Sequence, residues 1–382
     1  MNYRKLGRTG MNVSEIGLGS EAFVDREEQT SLEILNAAIQ LGVNYFDLYN
    51  PEPYVRDAFG KAMAGQREKF ILQGHLCTVW VDGQYKRTRD MEEVKAAYDD
   101  LFRRLGTDYI DVGMIHYVDE QKDFDEVFGG PVIQFAKELK AQGKIRAIGM
   151  STHNPRVVLL AAKSGVVDVI MFSVNPAYDL LPPTEDVDSI FEKETYENAL
   201  SSTDPERQEL YSLCESRGVA LTVMKPYGGG DLLQAEESPF GAAMTVPQCL
   251  HYCLTRPGVA TVLAGAHDVE QLRQAAAYSD LPEEAKDYAA VLSSAPAHRF
   301  VDKCMYCGHC APCTVGIDIA SVNKFYDLCQ AQNMVPETVR EHYSALRVKA
   351  GACIECCACE SRCPFDVKIV DHMTKARELF GE

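Results

Sequence analysis

The chain has 382 residues, 46% of them hydrophobic, and 38 Lys and Arg against 56 Asp and Glu leave a net charge of −18. That length and apolar content suffice to bury one large and one small domain, which excludes a disordered chain. The acidic balance excludes a nucleic-acid surface, which needs clustered Lys and Arg to displace counterions, and no stretch approaches the roughly 18 apolar residues of a membrane span.

Met1 to Ser20 holds no basic start followed by an unbroken apolar run, so no secretory signal is expected. From there short apolar runs alternate with amphipathic stretches. Strands are predicted over Ser14 to Gly19, Asn44 to Tyr49, Phe70 to Leu76, Ile110 to Tyr117, Ile145 to Thr152, Val167 to Asn175, Val219 to Pro226 and Val259 to Gly265. Helices are predicted over Glu27 to Leu41, Tyr54 to Ala64, Asp90 to Leu105, Asp123 to Gln142, Pro155 to Lys163, Pro205 to Arg217, Val246 to Leu254 and Val269 to Tyr278. The strand runs are continuous rather than alternating, as in a parallel sheet covered on both faces. Such an alternation predicts the α/β class, with a (β/α)8 TIM barrel over residues 1–294.

Two segments of this barrel carry more than structure. Ala177 to Asp204 is long for a loop between strand and helix, and holds Asp179, Glu185, Asp186, Asp188, Glu192, Glu194 and Glu197. Loops that follow strands lie on the catalytic face, so it reads either as a lid or docking edge or as a solvated acidic loop. Lys225, in MKPYGGGDLL at the end of the seventh strand, is a candidate for binding a phosphate or a substrate oxyanion, since glycines let backbone amides approach closely. The plainer alternative is a strand-end lysine beside a flexible loop.

Residues 295–382 are predicted to form a small, mainly helical, ferredoxin-like domain around two cysteine runs. The first holds Cys304, Cys307, Cys310 and Cys313; the second holds Cys353, Cys356, Cys359 and Cys363, followed by Pro364. CIECCACESRCP fits the CxxCxxCxxxCP spacing of 4Fe-4S ferredoxins, in which the fourth cysteine serves the other cluster. CMYCGHCAPC is less regular, with a shorter last gap and Thr314 in place of proline. Structural zinc would leave the proline without a role, and disulfides would require an oxidising compartment. Two 4Fe-4S clusters, and transfer of single electrons, fit the spacing best. Cys304, Cys307, Cys310 and Cys363 are expected to share one cluster, and Cys353, Cys356, Cys359 and Cys313 the other. Cys357 is expected to be a spare thiol, and the remaining single cysteines small buried hydrophobes. Cluster ligands must stay reduced until metallated, which points to the cytoplasm, with a ferredoxin or other electron-transfer protein as a candidate partner.

The opening MNYRKLGRTGMNVSEIGLGS, then NYFDLYN, DYIDVGMIHY, KIRAIGMST, VMKP and TVLAGAHDVEQL, resemble the aldo-keto reductases in the family's own order. With the cysteine tail, essentially the whole chain is similar to the iron-sulfur branch of that family. The resemblance implies an oxidoreductase acting on a carbonyl or conjugated carbonyl of a small-molecule substrate, with NADP(H) or NAD(H) as hydride carrier. It also implies Asp, Tyr, Lys and His around the carbonyl, the tyrosine giving the proton. Asp47 and His116 match this set at strand ends. Glu52 occupies the usual tyrosine spacing, between Tyr49 and Tyr54, and Tyr54 is the expected acid because a helix starting there would aim it over the barrel mouth. His75 stands where the lysine belongs, and can replace its charge only when protonated. Toward the nicotinamide cofactor Ser151, Gly265 and Gln271 match, whereas Met171 stands for the usual glutamine and Ala275 for the usual asparagine. Hydride chemistry moves two electrons and a 4Fe-4S cluster one, so a flavin is a candidate converter. A reading from another class is an electron-transfer or redox-sensing protein whose barrel has lost its catalytic set.

Overall fold

The computed structural model describes residues 1–191, 195–196, 199, 202–295, 300–332 and 334–382. Its strands are β1 Tyr3–Lys5, β2 Asn12–Ser14, β3 Ile16–Gly19, β4 Tyr45–Leu48, β5 Ile71–Leu76, β6 Thr78–Val81, β7 Gln84–Arg87, β8 Ile110–Ile115, β9 Ile145–Thr152, β10 Val169–Ser173, β11 Ala220–Met224 and β12 Val259–Ala264. Its helices are α1 Glu28–Gln40, α2 Pro53–Met63, α3 Met91–Leu105, α4 Gln121–Gly129, α5 Pro131–Ala141, α6 Pro155–Ser164, α7 Pro205–Arg217, α8 Val246–Thr255, α9 Val269–Ala276, α10 Glu283–Lys286, α11 Ala289–Ser294, α12 Ile319–Gln332, α13 Glu337–Ser344 and α14 Ile369–Phe380. Strands β3, β4, β5, β8, β9, β10, β11 and β12 close into a parallel barrel, so the fold is a (β/α)8 TIM barrel with a helical C-terminal region. All the predicted barrel strands are present, most with trimmed ends.

The differences from the predicted pattern have local causes. The stretch Asp123 to Gln142 is two helices, because Gly130 is extended and Pro131 takes the first position of α5. Two antiparallel hairpins, β1–β2 and β6–β7, lie outside the barrel ladder. The second turns at Asp82 and Gly83, with φ of +52° and +77°, the left-handed pair that a two-residue hairpin requires.

The chain forms two compact units. Met1–Val174, Val219–Pro226 and Val259–Pro282 make the first, which contains all eight strands of the barrel. At its base, Leu6, Met11 and Val13 of the N-terminal hairpin join Tyr45, Ile71, Val169, Ala220 and Ala260, residues at the starts of the strands, in one buried apolar cluster. That end of the barrel is plugged by packing, which leaves the strands' C-terminal ends for polar groups. On the flank, Phe59 of α2 sets its ring edge-on to Phe23 and Phe46.

The second unit comprises Asn175–Gly218, Tyr227–Gly258 and Glu283–Glu382, so the cysteine segment shares it with α7 and α8. Helix α12 packs on α7 and α14. Leu328, Cys329 and Val339 form its small core, closed by Phe325, Leu379 and Phe380. The acidic segment belongs here and is not uniformly solvated. Asp179 is fully buried and accepts hydrogen bonds from Arg207 Nη1 at 3.1 Å, Tyr211 Oη at 2.6 Å and Tyr252 Oη at 2.7 Å. Glu185, Asp186 and Asp188 are exposed, while Glu192, Glu194 and Glu197 lie outside the described residues, as do residues 296–299 beside the predicted domain boundary.

Helices α2 and α3 cross so closely at Gly60 that a Cβ there would sit 2.2 Å from the Arg104 carbonyl oxygen. Backbone cannot yield as a side chain can. Gly60→Ala should destabilise the fold by about 1–3 kcal/mol, as overpacking does, and lower the thermal midpoint by several degrees in a circular-dichroism melt. An unchanged midpoint would contradict this packing.

Candidate active site and cysteine loops

At the open end of the barrel, adjacent strands β4, β5, β8 and β9 bring Asp47, His75, His116 and Ser151 side by side. The chemistry of the group starts deeper, at fully buried Gln73. The Tyr45 and Thr222 hydroxyls both donate to Gln73 Oε1, Thr222 at 3.3 Å. Their grip turns the amide so that Nε2 donates to Asp47 Oδ1 at 2.6 Å. His75 Nε2 meets the same oxygen at 2.8 Å, His75 Nδ1 meets His116 Nδ1 at 2.8 Å, and His116 Nε2 meets the Tyr85 hydroxyl at 3.0 Å. The result is a continuous row from a buried carboxylate to a half-buried phenol. Two ring nitrogens can face each other at that distance only with one proton between them, so the imidazoles hold complementary tautomers.

The surroundings set the charges. Burial first, then the neighbouring His75, Arg87, Arg89 and His153, holds His116 well below the ordinary imidazole value. Tyr85 is pushed up to about 12, chiefly by burial, so it is a phenol at neutral pH. Tyr49, also raised by burial and then by nearby Tyr85, Glu21, Glu52 and Asp47, stacks on the His116 ring at 5.5 Å between centroids. Glu52 is 5% exposed, and its Oε2 has no partner among the described residues.

Of the four expected catalytic residues, the structure brings together Asp47, His75 and His116. Tyr54 stands apart from them: its hydroxyl accepts the Asp25 amide at 3.1 Å. Tyr85 was not among the expected residues, although VWVDGQYKR carries the alternation and the Asp-Gly turn of a hairpin. The residues matched to the nicotinamide lie around the same rim. Ser151 is buried with its Oγ accepting the Tyr117 amide at 2.8 Å. Gln271 Oε1 accepts the His267 amide at 2.8 Å, at the start of α9. A Cβ on Gly265 would meet nothing within 4 Å, leaving room beside the end of β12. Lys225 follows β11 with φ of +56°, a conformation that costs a non-glycine residue energy and recurs at functional sites.

In the second unit the cysteines line two clefts. Cys304, Cys307, Cys310 and Cys363 surround one, with an open volume of about 300 Å³. Cys313, Cys353, Cys356 and Cys359, together with Cys357, surround the other, of about 370 Å³. The two loops repeat each other's backbone. Positive φ occurs at Tyr306 and Glu355, the residues before the second cysteines; at Gly308 and Cys357, the residues after them; and at Gly316 and Asp366, three beyond the fourth cysteines. Helices α12 and α14 then begin at Ile319 and Ile369. The loops are also tied together: Asp302 N donates to Phe365 O at 2.8 Å, and Arg362 donates to the Cys310 and Pro312 carbonyls at 2.6 and 2.9 Å. Buried Arg256 and Tyr288 both donate to the carbonyl of Met305, inside the first CxxC. Five of the single cysteines, Cys77, Cys214, Cys249, Cys253 and Cys329, are buried as expected of small hydrophobes, whereas Cys357 is exposed.

Among the described residues no set of three or more His, Cys, Asp or Glu side chains converges tightly enough to hold a single metal ion, and no helix is long and apolar enough to cross a membrane. The barrel carries an acid and imidazole row at its strands' C-terminal ends, the face on which TIM-barrel enzymes place their catalytic residues. Residues 15–248 match the model of the aldo/keto reductase family, and the chain belongs to that family. It is 31% identical over 284 residues to the uncharacterized oxidoreductase YqkF of Bacillus subtilis (strain 168), covering 72% of this chain and 90% of that one. It is 24% identical over 248 residues to the NADH-specific methylglyoxal reductase of Escherichia coli (strain K12), covering 59% and 67%. Among solved structures it is similar to the holo form of aldo-keto reductase AKR11C1 from Bacillus halodurans, with a TM-score of 0.59, 25% identity and coverage of 78% and 98%.

The lowered basicity of His116 has a consequence for stability. An unfolded chain takes up a proton on this residue near pH 6.5, which the folded site refuses. Folding therefore loses free energy as the pH falls below that value. The thermal midpoint should drop between pH 7.5 and pH 5, and by less in His116→Gln; equal drops in both proteins would contradict the burial effect.

Proposed function

We propose that the protein is an iron-sulfur oxidoreductase of the aldo-keto reductase type. It reduces or oxidises a carbonyl or conjugated carbonyl of a small organic molecule, takes hydride equivalents from NADP(H) or NAD(H), and exchanges single electrons through two 4Fe-4S clusters. The observation that carries the iron-sulfur reading is the crossing of the cysteines: Cys363 of the second run joins three of the first around one cleft, and Cys313 of the first joins Cys353, Cys356 and Cys359, with Cys357 beside them, around the other, as in two-cluster ferredoxins. The fit is chemical as well as topological. A cubane needs four thiolates held around a volume larger than one ion, and the cysteines stand around clefts instead of converging as zinc ligands would. Asn323 Nδ2 lies 3.4 Å from Cys304 Sγ, and Thr314 Oγ1 lies 3.5 Å from Cys356 Sγ, groups suited to tuning sulfur charge.

For the barrel, support comes from the Asp47, His75 and His116 row, and from relatives that include a nicotinamide-dependent reductase of a small carbonyl compound. Ser151, Gly265, Gln271 and Lys225 are the residues that would hold the nicotinamide nucleotide, which supplies the hydride when bound. Asp47 orients His75 through their 2.8 Å hydrogen bond, His75 orients His116, and the row is a route for the proton that balances the hydride. A reducing cytoplasm, and a soluble electron-transfer partner for the clusters, fit this chemistry.

Anaerobically purified protein should contain about eight irons and as many sulfides per chain. Cys356→Ala should lose about half of both, while Cys357→Gly, which gives the second loop the residue its twin has at 308, should keep them. Four irons in the wild type, or stoichiometric zinc, would overturn the two-cluster reading. Bleaching of the visible absorbance on adding NADPH or NADH would connect barrel and clusters.

A further inference from the structure

The position where the family resemblance implies a tyrosine holds Glu52, and Tyr54 is engaged at the Asp25 amide. A phenol nevertheless reaches the catalytic row from another element. The β6–β7 hairpin sets Tyr85 against His116 Nε2 at 3.0 Å. Asp47, Gln73 and His75 are all buried, so solvent reaches this row only at its outer end, where His116 and Tyr85 are half-buried.

We propose that Tyr85 is the catalytic acid and base at the substrate oxygen, and that Tyr85, His116 and His75 pass one proton between that oxygen and the His75–Asp47 pair. The inference rests on the oxidoreductase reading above. It follows from the two directions in which the row can run. With both imidazoles neutral, His75 Nε2–H donates to Asp47, His116 Nδ1–H donates to His75, and the Tyr85 hydroxyl donates to His116 Nε2. The phenol oxygen then accepts a proton from an alcohol. With one more proton on the pair, His75 carries N–H on both nitrogens and still donates to Asp47. Its Nδ1–H now points at His116 Nδ1, His116 Nε2–H points at the Tyr85 oxygen, and the phenol proton turns outward to a carbonyl.

Reduction balances in these terms. The carbonyl carbon gains a C–H bond and an electron pair from a dihydronicotinamide, which is oxidised, and the C=O π pair moves to oxygen. That oxygen takes the Tyr85 proton, Tyr85 takes the one on His116 Nε2, and His116 Nδ1 takes the one on His75 Nδ1. His75 ends neutral beside Asp47. Alcohol oxidation is the same sequence reversed. The cation stored against Asp47 thus occupies the place of the lysine that the resemblance implies.

Around the pair, Asp47 and Gln73 form one end, and Tyr49 lies edge-on to His75 at 6.0 Å. Arg87 at the end of the hairpin, Arg89 just after it, and His153, beyond β9, all disfavour charge on His116. These cations oppose a second proton, so the pair holds one.

The test uses the full chain, prepared anaerobically, with NADPH or NADH and methylglyoxal or 9,10-phenanthrenequinone as probes. Reduction should slow as the pH rises through the point at which the pair loses its proton, and alcohol oxidation should speed up over the same interval. Tyr85→Phe should cut kcat by about 10² or more with little change in KM. In ¹⁵N-histidine spectra, the pair should take up a single proton. A Tyr85→Phe enzyme with unchanged kcat, or two protons taken up by the pair, would overturn the inference while leaving the oxidoreductase reading intact. A loss confined to Tyr54→Phe would move the role to Tyr54. A wild type that reduces neither probe with either nucleotide would sink the carbonyl reading and the role of Tyr85 with it.

Discussion

A carboxylate held out of water is costly unless donors satisfy it, and Asp47, at 3% exposure, sets the terms for the barrel mouth. Its Oδ1 accepts from Gln73 and from His75. The Gln73 amide is held by hydroxyls from β4 and β11, so the donors to Asp47 are set inside the barrel before a substrate arrives. Outward of Asp47 only the Nε2–H of His75 is committed to the carboxylate; the His75–His116 and His116–Tyr85 hydrogen bonds can run in either direction. Parallel strand pairing makes this possible, because Asp47 and Gln73 are register partners on β4 and β5, while His116 follows directly on β8.

The cysteine unit obeys a different constraint. Its loops bend around clefts through residues with positive φ at matching places in both halves, and that conformation costs most residues energy. Gly308 meets the requirement without strain; its twin is Cys357, an exposed thiol. Repetition of the strained positions, more than of the cysteines alone, marks the halves as copies of one loop-and-helix design. Buried Arg256 and Tyr288 then hold the Met305 carbonyl, which anchors the first loop to the helical part of the same unit.

Much of this was legible in the sequence. Continuous apolar runs separated by amphipathic stretches determine a parallel barrel, because strands covered on both faces cannot alternate polar and apolar side chains. Asp47, His75 and His116 were singled out by their resemblance to the family's catalytic positions, and their place at strand ends, which form the rim, agrees with it. The cysteine spacings suggested a crossed grouping, because in two-cluster ferredoxins the fourth cysteine serves the other cluster, and the cysteines line the two clefts in those groups. Tertiary structure decided what spacing along the chain does not encode. Tyr85 reaches His116 from a hairpin whose alternation and Asp-Gly turn are in the sequence but whose placement beside β8 is not, and Asp179 passes from an apparently solvated acidic stretch to a buried site because Arg207, Tyr211 and Tyr252 converge on it from two helices. In both cases the deciding interaction is a hydrogen bond between residues distant in sequence, whose partner exists only once the chain has folded.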